Sequence, residues 1–221
     1  MRLPRKFTGR ATLCGAGLLD WGLARRRSCA ARFYPDARIR KTPMNLLKRL
    51  PPFDSKSGTL NVVIDTPKGC RSKFAFDMKR KAYVLKSVLP HGTVFPFDFG
   101  SIPGTVADDG DPLDALVLMD EPAFCGCLIE SRVVGVIEAE QSEDGKTERN
   151  DRLIAVAAKS RTHAEVKTLS DVSPALLKEI EHFFISYNQE RGKKFRPIAR
   201  HGPKRAAQLV RKQKRRIKRR K

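Results

Sequence analysis

The sequence is poor in cysteine and has no long apolar run. Its five cysteines, Cys14, Cys29, Cys70, Cys125 and Cys127, are an odd number with no paired spacing. That argues against a disulfide framework and for reduced thiols in the cytoplasm. Cys125-Gly126-Cys127 has a single intervening residue, whereas zinc sites use about two to four and a second pair of ligands. The two thiols read as small buried side chains at the start of a strand. His91, His163, His182 and His201 show no paired metal spacing and read as surface or helix-packing residues. No stretch approaches the ~20 apolar residues of a membrane helix, so the chain reads as soluble, with no membrane partner. No internal repeat is visible.

Acid is scarce at both ends. Residues 1–43 carry 11 Lys+Arg against 2 Asp+Glu, and residues 189–221 carry 16 against 1. The whole chain is +21, so residues 44–188 are left at −3. The basicity speaks of partners and solubility rather than of fold. A length of 221 residues suits one domain with extensions. Arginines flank a mildly apolar run from Ala11 to Leu19, a layout with some likeness to a targeting peptide. The expected organisation is a basic leader or mis-assigned upstream segment over 1–43, a domain over 44–200 opened by Met44, and a basic tail over 201–221.

Against this background one stretch stands out, Asp108-Asp109-Gly110-Asp111-Pro112-Leu113-Asp114, followed by the apolar Ala115 to Met119. Four carboxylates in seven residues repel one another unless cations sit among them. Gly110 lets the backbone bend, Pro112 blocks a helix, and the apolar run reads as a buried strand with acids at its mouth. An EF-hand starting at Asp109 would need Gly at position 114 and an acid at position 113. Neither is there. Magnesium takes octahedral oxygen sites made of carboxylates, waters and substrate phosphates, which suits spaced aspartates near a lysine.

Short β-like runs dominate the rest: Leu60–Asp65, Lys73–Asp77, Ala82–Val88, Val94–Ile102, Leu113–Met119, Leu128–Ala139 and Arg152–Ala158. In Lys73–Asp77 the alternation puts Phe74 and Phe76 on one face, with Lys73 and Asp77 on the other. Gln141–Asn150 reads as a polar loop. One helix is clear: Ser173 as N-cap, Pro174 in the first position, and Leu176, Leu177, Ile180, Phe183, Phe184 and Tyr187 at helical spacing. Residues 203–221 have too few apolar positions to anchor a helix and read as a solvated end. The expected fold is mainly β with flanking helices (α+β), a small barrel rather than a βαβ array.

These residues resemble the soluble inorganic pyrophosphatases. DDGDPLD is similar to that family's aspartate signature. Pro96 to Ile102, Val133 to Val136 and Glu181 to Tyr187 resemble segments around it in the family's order, over about residues 60–194. The resemblance implies an OB-like five-stranded β-barrel with a C-terminal helix packed on it, a homo-oligomer, and hydrolysis of inorganic diphosphate with Mg²⁺, or Mn²⁺, as cofactor. It implies Asp109 and Asp114 as metal ligands, Asp111 as the acid that takes a proton from water, and Lys73, Lys86, Arg152 and Tyr187 as substrate-binding groups. Asp65 is implied as a supporting acid where the family has Glu, and Lys86 stands where it has Arg. Phe99, Ala75 and Asn188 stand where it has Tyr, Glu and Lys. A further metal ligand falls on Asn150 or Asp151, and Glu143 and Asp144 are candidates for outer metal acids. Two other readings carry different tests: a homologue that binds phosphate or nucleotide without turnover, and a protein that contacts nucleic acid nonspecifically through its basic tail.

Overall fold

Strand β1 (Leu60–Thr66) is buried along its whole length, and its two neighbours explain why. The computed structural model describes Leu47 and residues 50–219, with side chains to Lys214. The expected leader, the Met44 boundary, Cys14 and Cys29 lie outside the described residues. Strands β4 (Asp98–Ser101) and β6 (Leu128–Glu143) both pair with β1 in antiparallel fashion. β4 continues to β5 (Asp114–Leu118), β5 runs parallel to β8 (Arg152–Ala157), and β8 returns to β6. The ring β1-β4-β5-β8-β6 therefore closes as a five-stranded barrel, which leaves no free edge in the ring itself.

β6 is longer than the sequence pattern suggested. Its 16 residues pair with β1 and β8 near the start, then project past the barrel to pair with β9 (Lys194–His201) and β7 (Lys146–Arg149). The expected loop 141–150 is instead a hairpin. Asp144 and Gly145 turn it with positive φ at both residues, 49° and 76°, the two-residue turn that matches strand twist. β9 was not visible beforehand, because Arg, Lys and Pro dilute its alternation and it is held by β6 rather than by its own apolar face.

Strands β2 (Ser72–Asp77) and β3 (Ala82–Val88) form a separate ribbon. The expected one-sided burial of Phe74 and Phe76 is not seen; every residue of β2 is half-buried. The pairing slips between Lys73 and Phe74, which leaves Lys86 as the extra residue on β3.

The barrel strands send alternate residues to two clusters. Leu116, Leu118, Ile154 and Val156 pack with α1 (Pro174–Gln189) through Leu177, Ile180, Phe184 and Tyr187. Ala115, Val117, Leu153 and Ala155 pack with α2 (Pro203–Arg219) through Ala206, Leu209 and Val210. Cover on both sides explains the continuous apolar runs of β5 and β8. Ser173 stands at the N-cap of α1 as expected, although its side chain makes no capping bond. α2 corrects the expectation of a solvated end: over Pro203 to Lys214 it is a docked helix, with Ala206, Leu209, Val210 and Gln213 buried. Few apolar positions suffice because they are spaced onto one stripe facing a ready apolar surface.

Candidate active site

The acidic stretch forms the loop between β4 and β5. The buried hydroxyl of Thr105 ties its two arms, donating to the Ile102 carbonyl at 2.6 Å and accepting the Leu113 N–H at 3.0 Å. Within the loop, Ala107 N–H donates to the Asp111 carbonyl, and Gly110 turns the chain at φ 91°. Asp109 Oδ1 accepts the Asp111 N–H at 3.0 Å. Asp109 and Asp111 are exposed at the tip, and Asp114 is half-buried where β5 begins.

Register brings the other half of the site to Asp114. Its parallel partner on β8 is Arg152, and the Arg152 guanidinium reaches the Asp114 carboxylate at 2.7 Å. Arg152 also donates to Asn150 Oδ1. Its guanidinium lies 4.8 Å from the ring centre of Phe184 and 5.4 Å from that of Phe195. An Arg buried among rings and held by a carboxylate is fixed in direction. Asp151, next in sequence, faces elsewhere: its Oδ1 accepts from Arg149 at 2.8 Å and from the Ala139 N–H at 3.0 Å. Of the two sequence candidates, Asn150 is joined to Asp114 through Arg152, while Asp151 belongs to an ion network with Arg149 and Glu138. Both line a cavity of about 190 Å³ together with Asp108, Asp114, Arg205 and Lys212.

Lys73 comes from the ribbon. Its ammonium lies 4.0 Å from the ring centre of Phe99, with the rings of Phe95 and Tyr187 at 5.6 and 5.8 Å. Burial pushes its pKa down to about 8, opposed by Asp114 and Asp65 and reinforced by Arg152 and Arg191. Phe99 lacks a hydroxyl, yet it provides the face on which this cation rests. Asp65 on β1 is buried, accepts from Ser101 Oγ at 2.6 Å, and has its other oxygen buried without a partner. Burial pushes its carboxyl up to about 7, against the Ser101 hydrogen bond and Lys73, and with the like charges of Asp114 and Asp111.

Tyr187 reaches the same place from α1, its ring stacked 5.8 Å from Phe183. Burial raises its pKa. Asn188 is buried and donates to the Phe184 carbonyl at 2.8 Å, so it presents nothing to the site. The residue that sequence reasoning missed is Arg191. Its guanidinium lies 5.2 Å from the Tyr187 ring centre and donates to the Tyr187 hydroxyl. The readable signal was a cation four residues after Tyr187.

Lys86, Asp144, Glu143 and Ala75 have other neighbours. Lys86 is exposed at the ribbon's slip, and the carboxylate its charge lowers is Asp77, after the Arg80 and Lys79 N–H groups and Arg80. Asp144 is exposed at the hairpin tip. Glu143 beside it pairs with Lys193 at 2.6 Å. Ala75 faces Val84 in the ribbon.

The acids fit a hard divalent cation in kind. All donors are oxygen, Asp65 keeps a buried oxygen without a partner, and Asp109, exposed as a residue but with its carboxyl partly desolvated by the folded loop, is raised first by that desolvation and then by the like charges of Asp114 and Asp111. Among the described residues, no three acids, histidines or cysteines close into one metal-holding group.

A closed barrel with an acidic loop whose Asp114 meets Arg152, and with Lys73 and Arg191 beside it, brings oxygen donors and cations together at one end. A family model described as inorganic pyrophosphatase matches residues 62–218. An inorganic pyrophosphatase from Nostoc sp. is 41% identical over 136 residues, 62% of this chain and 78% of that protein. One from Thermus thermophilus is 36% identical over 148 residues, 67% and 82% of the two chains. The crystal structure of the Thermus thermophilus enzyme matches with a TM-score of 0.70 at 33% identity, covering 78% of this chain and 98% of that one. The chain belongs to the inorganic pyrophosphatase family.

Proposed function

We propose that this protein hydrolyses inorganic diphosphate to two phosphates in a Mg²⁺-dependent reaction, by direct attack of water. The observation that carries this reading is the 2.7 Å contact of Arg152 with Asp114, which sets a fixed phosphate-binding cation against the acidic loop. Asp109 and Asp114 would hold Mg²⁺, with Asn150 lining the same cavity as Asp114 and Asp65 within reach of its charge; bound there, the ion would neutralise substrate charge and make water easier to deprotonate. Asp111, exposed at the loop tip, accepts the proton of the attacking water. Lys73, Arg152, Arg191 and the Tyr187 hydroxyl hold the diphosphate and offset charge on the departing phosphate. No covalent intermediate is required.

Two supporting features bear on the setting. Cys70, Cys125 and Cys127 are free thiols, in keeping with a reducing cytoplasm. Phe124 is 70% exposed and Leu128 41% exposed, apolar surface suited to association of identical copies. No helix among the described residues is long and apolar enough to cross a membrane.

The test is phosphate release from diphosphate, triphosphate and ATP, each with Mg²⁺, with Mn²⁺ and with chelator. Diphosphate with Mg²⁺ should be turned over fastest, and Asp111→Asn should lower that rate by about 10²–10⁴-fold. Equal, slow release by both proteins would overturn the reading. Tight diphosphate binding without release would favour a homologue that binds and does not hydrolyse.

A further inference from the structure

After Glu190 the sequence contains no acidic residue, yet it carries 16 lysines and arginines between Arg191 and Lys221. Where the fold uses such residues it matches them. Arg196 and Arg200 on β9 pair with Glu140 and Glu181, and Arg205 at the start of α2 pairs with Glu138 at 2.7 Å. The matching stops there: no ion pair involves Lys204 or Lys214 among the described residues, and both are exposed.

The helix fixes the geometry of what remains. Ala206, Leu209, Val210 and Gln213 hold one side against the barrel. At about 100° per residue, Lys204, Gln208 and Arg211 fall at positions along the opposite side, with Lys214 at its margin. Arg211 is further steadied by the Phe53 ring, 5.7 Å from its guanidinium. From Lys204 to Lys214, at ~1.5 Å per residue, this side makes a cationic edge of roughly 15 Å, the length of about four base steps.

We infer that the outer side of α2 is a docking surface for the phosphate backbone of nucleic acid, independent of the hydrolytic site. Away from the cavity that Arg205 and Lys212 line beside Asp114, the exposed described residues of the helix are Lys204, Gln208, Arg211 and Lys214. None is aromatic, so bases are not stacked or read, and binding follows charge. A membrane-surface helix needs its apolar side for the bilayer, and here that side is spent on the barrel core. An acidic protein surface lacks the condensed counterions whose release drives binding to a nucleic-acid backbone.

The full-length protein is titrated against a labelled mixed-sequence oligonucleotide, single-stranded and duplex, from 50 to 300 mM salt. Phosphatidylserine vesicles and polyglutamate serve as competing anions. The inference expects binding to the oligonucleotide whose logarithm falls linearly with the logarithm of salt concentration. Lys204→Gln and Lys214→Gln together, with Arg211→Gln as the third change of a triple variant, should reduce that slope by about 2–3 while diphosphate hydrolysis stays at the wild-type value. Absence of oligonucleotide binding at 50 mM salt, an unchanged slope in the triple variant, or equal binding to vesicles or polyglutamate would each overturn it.

Discussion

The Arg152 guanidinium lies 2.7 Å from the Asp114 carboxylate, and the two residues are register partners on adjacent parallel strands. Loop chemistry and strand chemistry meet at that contact. Arg152 is buried and Asp114 only half-buried, so the arginine has fewer alternatives when the pair is broken. Asp114→Asn should leave a buried cation short of its partner, lower the urea midpoint by a free energy on the order of 3 kcal/mol, and abolish turnover. Arg152→Lys keeps the charge but loses the planar fork, so its activity should fall at least tenfold with a smaller loss of stability. Equilibrium unfolding and phosphate release, measured side by side, separate the two effects.

Arg191 supplies a cation where Asn188 supplies none. Arg191→Ala should raise KM for diphosphate about tenfold with little change in thermal midpoint, because the Arg191 side chain bonds Tyr187 at the surface rather than filling the core. Arg191→Lys should recover part of the affinity. A KM unchanged in both variants would remove Arg191 from the substrate site.

Lys73 must be protonated to hold an anion, and burial sets its pKa at about 8. Substrate affinity should therefore decline as pH rises through about 8, and Lys73→Arg should move that decline upward. The stability of the metal-free protein should run the other way. Between about 8 and the unfolded value near 10.4 the unfolded chain binds more protons, so stability rises with pH in that window.

Asp65 has the opposite sign. Its folded pKa of about 7 lies above its ordinary value of 3.8, so the folded metal-free protein binds the extra proton. That contribution is complete below about 4 and is lost as pH rises through about 7. Asp65→Asn should flatten this part of the pH–stability curve, read by thermal unfolding from pH 4 to 8.

The docked α2 makes the C-terminal segment part of the fold. Leu209→Ala should cost about 2–4 kcal/mol, the range for a buried leucine. A loss under about 0.5 kcal/mol would mean that the helix is not held there.

Several elements were legible in the chain because local chemistry decides them. Repulsion and turn residues mark the acidic loop, short apolar runs between turn residues mark β1, β3, β5 and β8, and a 3.6-residue apolar period marks α1. Other elements took their form from neighbours. β9 exists because the projecting half of β6 offers it a ladder, and α2 is ordered because the barrel offers an apolar face to four spaced residues. The hairpin at Asp144-Gly145 had a readable turn signal, but its strands are polar and only the pairing with β6 reveals them.

The sequence alone determined the chemistry at hand: a carboxylate cluster, a supply of cations, and barrel-forming strands. Tertiary structure decided which of these groups meet. Parallel register put Arg152 on Asp114, the β4–β1 pairing brought Ser101 to Asp65, and the end of α1 carried Arg191 to Tyr187 while Asn188 turned inward. It also turned Asp151 toward Arg149 and left Lys86 on the outer ribbon. Residue identity sets what a side chain can do; strand register and helix phase set which partner lies within about 3 Å, the range in which hydrogen bonds and ion pairs act.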